Sequence, residues 1–312
     1  MRTAIIVGCL GQDGRLLSEY LIRKKYRLIG IDINYLKTPD KSRRKPIDIT
    51  NLGHVNNLIR YSKPSEIYHL AAVHHSSEDR THNNIQLFDK SFEVNTFSLI
   101  YFLEAIRKFS PKTRLFYASS SHIFDDKENT INDEDSYINP SSIYGITKAA
   151  GLFICRFYRK EYSLFASCGI LYNHESSFRG GSFISKKIIK GAIKIKRNQQ
   201  DKIILGNINA EVDWGYAPDY VDAMHKILAL KEPDDFIIAT GKKHKVSEFA
   251  EIAFKYLGLD WKRYVGEYKG ILTRETPPRV GNPSKLTSLT GWKPTVDFRE
   301  MIKLLLTQEG AL

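Results

Sequence analysis

Ala4-Ile5-Ile6-Val7 passes without a break into Gly8-Cys9-Leu10-Gly11-Gln12-Asp13-Gly14, and helical periodicity follows over 15–25. A continuous apolar tetrad suits a strand covered on both faces of a parallel sheet. Glycines at three-residue spacing permit a tight turn. They also let an anion approach the helix N-terminus, where unpaired N–H groups and the helix dipole favour negative charge. Strand, glycine turn and helix in that order open a βαβ unit. The chain is therefore constrained to the α/β class, as a Rossmann-type doubly wound parallel sheet. Gly8, Gly11, Gln12, Asp13 and Gly14 become candidate dinucleotide contacts. The spacing departs from G-x-G-x-x-G, so the position of the loop after the first strand carries the weight.

The alternation continues. Residues 26–33 predict a second strand with Asp32 at its C-terminal end, about 20 residues beyond the glycines. A carboxylate there accepts hydrogen bonds from the adenosine ribose and repels a 2′-phosphate, which favours NAD over NADP. Residues 46–50 predict a short edge strand, with Ile49 beside the cofactor and Asp48 able to meet the adenine amino group. A fourth strand at 67–72 brings Leu70, Ala71 and Ala72 close to the cofactor. Residues 74–90 predict a polar loop in which His74 can touch substrate, and 92–107 a helix containing Asn95. Strands at 114–119 and 165–171 complete the sheet. The expected division is a dinucleotide-binding domain over 1–171 with a segment near 208–240. A smaller, non-contiguous C-terminal substrate-binding domain then takes 172–207 and 241–312.

The strand at 114–119 delivers Ser119-Ser120-Ser121-His122 to its carboxyl end, where doubly wound sheets bind ligands. Tyr144 and Lys148 lie four apart in a predicted helix over 142–158 and share one face. A cation near a phenol lowers its pKa from about 10 and makes it a usable base. Taken alone the pair is equally a packing tyrosine and a solvated lysine; the cofactor loop and Ser120 give it meaning.

The 312-residue chain carries a net charge of +12. Basic residues cluster at 41–45 and 186–197 without any helix-turn-helix, zinc-finger or RNA-binding signature, so no nucleic-acid partner is expected. Nothing near Met1 resembles a signal peptide, and no apolar run approaches the roughly 18 residues that span a membrane. Cys9, Cys155 and Cys168 lack metal-ligand spacing, which fits reduced thiols in a cytoplasmic protein and no bound metal.

Taken together these residues resemble an extended short-chain dehydrogenase/reductase, and within it the GDP-mannose 4,6-dehydratase family. Gly11-Gln12-Asp13-Gly14, Tyr172-Asn173-His174-Glu175-Ser176, Leu205-Gly206-Asn207, Asp213-Trp214-Gly215, Asp219-Tyr220-Val221 and Gly291-Trp292-Lys293-Pro294 carry the likeness over almost the whole length. The resemblance implies a GDP-linked manno-configured sugar, hexose or heptose, oxidised at C4 for surface-polysaccharide sugar biosynthesis. It implies Tyr144 as base, Lys148 as its activator and ribose holder, and Ser120 as partner of the C4 oxygen. It further implies His174 and Arg179 at the cofactor, and Asn173, Lys187, Asn207 and Arg274 at the sugar nucleotide. Homodimer formation through the helices at 92–107 and 142–158 follows by the same likeness, with Leu99, Phe102, Leu103 and Phe153 suited to that face or equally to the core.

Three departures stand out. The family's elimination glutamate is His122 here, its arginine-rich NADP loop is replaced by Asp32, and two arginines become Val212 and Phe178. The leading expectation is an NAD-dependent C4 dehydrogenase that stops at the 4-keto sugar. The alternatives are a 4,6-dehydratase using His122 or a nearby acid, a nucleotide-sugar 4-epimerase, and a non-catalytic NAD-binding regulator or RNA-binding protein.

Overall fold

The computed structural model of the chain describes residues 1–37, 47–74, 84–124, 131–272 and 278–312. Six strands make the central sheet: β1 (Thr3–Val7), β2 (Arg27–Ile31), β3 (Glu66–His69), β4 (Arg114–Ser120), β5 (Ala166–Leu171) and β6 (Asp235–Ile238). Their spatial order is β2-β1-β3-β4-β5-β6, and every neighbouring pair is parallel. Chain direction across the sheet reverses between β1 and β3, and a crevice opens beyond the carboxyl ends at such a switch point. β3, β4 and β5 are buried almost throughout, which is why their sequences lack a polar face.

One apolar layer, with Leu99, Phe102 and Leu103 fully buried, packs on one side of the sheet. The helices Gln12–Arg23 and Ala217–Ala229 cover the other side. A separate core lies beside the sheet. It joins the helices Ile184–Lys196, Val246–Tyr256 and Phe298–Gln308 around Trp214, Phe249 and Phe298. Two carboxylates tie the remote C-terminal segments back. Asp213 accepts hydrogen bonds from the N–H groups of Thr240, Gly241 and Gly281. Asp219 accepts from Thr295 and Val296, while the Trp292 indole donates to its carbonyl.

Two expectations about secondary structure are corrected. Residues 47–50 form no strand: Asp48 Oδ1 accepts from the N–H and hydroxyl of Thr50 at 2.9 and 2.8 Å. That local turn takes the hydrogen-bonding capacity a strand would use. The stretch 74–90 is not loop throughout. A helix begins at Asn84, continues through one π turn at Glu93–Phe97, and runs on as Ser98–Phe109. Ile85 is 73% exposed and Phe88 is 36% exposed, so the apolar stripe of its first turns faces outward and mimics loop composition. Leu99, Phe102 and Leu103 prove to be core, whereas Phe153 is half exposed.

Candidate active site

The glycine loop is held by close backbone approach. Gly8 has φ +89, and a Cβ there would lie 2.8 Å from the Ala71 nitrogen. A Cβ at Gly14 would lie 2.2 Å from the Gly8 carbonyl oxygen, which is backbone and cannot swing aside. Gly14→Ala should therefore force the loop open. We expect loss of dinucleotide binding in a fluorescence titration with NADH, together with destabilisation of about 1–3 kcal/mol by denaturant unfolding.

Gly11 caps the helix Gln12–Arg23 without any side-chain acceptor, so its first-turn N–H groups face the crevice unpaid by a cap. That crevice is a cavity of about 720 Å³. Gly8, Gly11, Gln12, Asp13 and Gly14 line one wall. Asp32, Asp48 and Ile49 lie toward the β2 end, and Leu70, Ala71 and Ala72 beyond β3. Asp32 accepts from the N–H groups of Leu10 and Asn34, both at 3.0 Å, which sets its carboxylate on the loop. Asn173, His174 and Arg179 close the side beyond β5.

Ser120, His122, Tyr144, Lys148 and His74 meet at the remaining end. Ser120 ends β4, and its Oγ accepts from the His122 N–H at 3.3 Å, starting the short turn Ser121–Ile123. Ser142 caps the helix Ile143–Tyr162 by accepting from the Gly145 N–H at 3.1 Å. A Cβ at Gly145 would sit 2.3 Å from the His122 carbonyl, so glycine lets this helix begin against the serine turn. Two imidazoles flank the phenol edge-on: His74 at 4.6 Å and His122 at 5.8 Å between ring centroids. His74 in turn stacks on Phe183 at 5.3 Å, and the Arg179 guanidinium lies 3.6 Å over Phe183.

The electrostatics differ from the simple expectation for a tyrosine–lysine pair. Lys148 is 1% exposed and donates from Nζ to the Ala118 carbonyl at 2.7 Å, standing 5.7 Å from the Tyr144 ring. Burial lowers its pKa to about 8. Burial raises the Tyr144 phenol to about 12, against the lowering influence of a hydrogen bond with Ser120 and the charge of Arg179. Lys148 is not among the groups that lower the phenol; its ammonium donates to the Ala118 carbonyl.

Phe183 and Tyr172 also line the cavity; Tyr172 opens the Asn173-His174-Glu175 segment, and the aromatic type of Phe183 carries no sequence signal beyond packing. Phe178 also lines it, with the Arg15 guanidinium 5.3 Å over its ring, so a basic group reaches this edge from another element. Val212 packs against the second core. Lys187 and Asn207 do not line the cavity: Lys187 is half-buried on its helix, and the Asn207 side chain accepts from the Asn209 N–H at 2.9 Å. Arg274 and the basic cluster at 41–45 fall outside the described residues. Among the described residues no His, Cys, Asp and Glu grouping could hold a metal ion. None of their helices is long and apolar enough to cross a membrane.

The family model for GDP-mannose 4,6 dehydratase matches residues 5–305. The chain belongs to the GDP-mannose 4,6-dehydratase family. The family's "GDP-mannose 4,6 dehydratase 2" of Arabidopsis thaliana is 34% identical over 329 residues, covering 99% of this chain and 87% of the relative. Among solved structures, RMD from Pseudomonas aeruginosa complexed with NADPH superimposes with a TM-score of 0.82 at 18% identity, covering 98% of each chain. A dTDP-glucose 4,6-dehydratase from Bacillus anthracis in complex with NAD gives 0.83 at 17% identity, covering 99% of this chain and 97% of that one. These likenesses establish the doubly wound fold. The chain is thus an enzyme of the GDP-mannose 4,6-dehydratase family, a family that acts on GDP-sugars.

Proposed function

We propose that this protein oxidises the C4 hydroxyl of a GDP-linked manno-configured sugar with bound NAD and releases the 4-keto sugar with its C6 oxygen retained. The cofactor fits the residues present: a glycine cradle that a Cβ would fill, an uncapped helix N-terminus for pyrophosphate, and Asp32 at the ribose end of the cavity. A 2′-phosphate would meet the Asp32 carboxylate, which favours NAD. Bound NAD supplies the acceptor for the C4 hydride. Tyr144 takes the C4 hydroxyl proton and Ser120 hydrogen-bonds the C4 oxygen. With its phenol at about 12, Tyr144 needs positive charge brought close before it can act, and Lys148 and Arg179 are the chain's own sources.

One observation carries the ketone as end product. Among the described residues, the cavity end around Tyr144 presents Ser120, His122 and His74 but no carboxylate to abstract the C5 proton. The second reading, a 4,6-dehydratase, is favoured by the family itself, and His122 is then the elimination base. Incubation with GDP-mannose and NAD followed by mass spectrometry separates them: a product lighter by one water overturns the ketone reading. We also propose a homodimer, built on the outward aromatic side chains Phe97, Phe153, Phe157 and Tyr162. Light scattering should give twice the chain's mass, and Phe157→Glu should shift it toward the monomer. The three buried, unpaired cysteines suit a reducing cytoplasmic compartment.

A further inference from the structure

His174 follows β5 and is 7% exposed. Its Nδ1 lies 2.7 Å from the Tyr172 carbonyl oxygen, and its Nε2 lies 3.0 Å from each carboxylate oxygen of Asp13. Carbonyl and carboxylate oxygens only accept, and a neutral imidazole has a single N–H. Both contacts are satisfied together only by the imidazolium. Its face is stacked on Tyr220 at 4.4 Å between centroids, 22° from parallel. Gln12 adds a second tie, donating from Nε2 to the His174 carbonyl at 3.0 Å and accepting the Ser176 hydroxyl at 2.9 Å. The first turn of the helix Gln12–Arg23 is thus fastened to the segment after β5.

We infer that His174 is a positioning residue for the dinucleotide, its imidazolium cancelling the Asp13 carboxylate at the helix N-terminus where the pyrophosphate docks. The inference rests on the NAD reading above. Asp13 would otherwise place a full negative charge in the turn that must receive an anion, using up the positive helix N-terminus and repelling the pyrophosphate. The other charge facing this pair is Arg179, which pairs with Glu175 at 3.3 Å, opposes the His174 imidazolium and favours the Asp13 carboxylate. Tyr220 and Tyr172 contribute no charge near neutral pH. Losing the His174 proton therefore removes the one cation in direct contact with Asp13, leaving only the Gln12 hydrogen bond and the more distant Arg179.

The direction of titration agrees. Burial works against the His174 charge, but Asp13 and the Tyr172 carbonyl outweigh it and hold the pKa above 6.5. Burial likewise opposes the Asp13 charge, and the His174 imidazolium prevails and holds that carboxyl below 3.8. A raised histidine pKa means that the cancelling charge is complete below the ordinary value. It is lost as pH rises through the folded value.

NADH fluorescence titrations of wild type, His174→Gln, Asp13→Asn and the double variant across neutral to mildly alkaline pH test this. Wild-type affinity is expected to fall as pH rises. His174→Gln should bind roughly tenfold more weakly below the wild-type transition, with little pH dependence. The double variant should recover most of that loss, because the uncancelled charge has been removed. A purely structural role moves neither the pH profile nor the recovery; thermal melts confirm that each variant is folded. Wild-type protein that binds no NADH overturns the dinucleotide reading and this inference with it. Wild type that binds, with His174→Gln equal to it or the double variant no better than His174→Gln, overturns this inference alone.

Discussion

Tyr144→Phe is expected to slow C4 oxidation by about 10²–10⁴-fold, the usual contribution of a positioned proton acceptor. NADH affinity and unfolding midpoint should stay close to wild type. The change removes one oxygen and keeps the ring, so the edge-on contacts with His74 and His122 survive. What is lost is the atom that hydrogen-bonds Ser120 and receives the proton. Because the phenol is raised to about 12 and must be deprotonated to act, the wild-type rate should climb with pH from neutral upward. The residual rate of Tyr144→Phe should lose that slope. Stopped-flow measurement of NADH formation with GDP-mannose reads both. A variant that keeps wild-type rate and slope would place the base elsewhere and return Tyr144 to a packing role.

Much of the frame was legible because burial on both faces writes itself as uninterrupted apolar runs. Ala4 to Val7 read as an inner strand, and the glycines after it, by their place behind that strand, as a tight, close turn. Once those strands were aligned, the carboxyl-end rule brought Gly8, Asp32, Ala71 and Ser120 to one crevice, the family resemblance added His174, and all five line one cavity. Local competition was harder to see. The turn at Asp48 uses side-chain acceptors that propensity does not count, and the outward stripe of Asn84–Phe92 looks like loop composition. Long-range direction was hardest. Nothing in Tyr-x-x-x-Lys says that the ammonium turns to the Ala118 carbonyl, or that Phe183, 39 residues after Tyr144 by numbering, stacks on His74 beside the phenol. The acid/base state of the pair depends on those contacts and not on its spacing.

His122→Glu should redirect the reaction from a 4-keto sugar to a 6-deoxy-4-keto sugar. A ketone at C4 acidifies the C5 hydrogen, so a base at C5 that passes the proton to the departing C6 hydroxyl would release water and leave a 5,6-alkene. The hydride taken from C4, returned by the reduced cofactor to C6, and a solvent proton at C5 would then complete the 6-deoxy-4-keto sugar. Position 122 stands two residues past Ser120, with its ring against Tyr144, so a carboxylate there is carried to the same reaction centre. An unperturbed glutamate has a pKa near 4.3 and is charged at neutral pH, and it differs from an imidazole in charge and reach. With GDP-mannose in deuterated water, wild type should retain the C6 oxygen, and His122→Glu should release water and carry deuterium at C5. If wild type already yields the deoxy sugar, the same position decides the matter from the other side. His122→Ala should then lose elimination by about 10²-fold or more while NADH still forms at C4. Loss of both steps together in His122→Ala would mean that the imidazole serves Tyr144 and not C5. The fate of the ketone would then belong to a group outside the Ser120–Tyr144–Lys148 set.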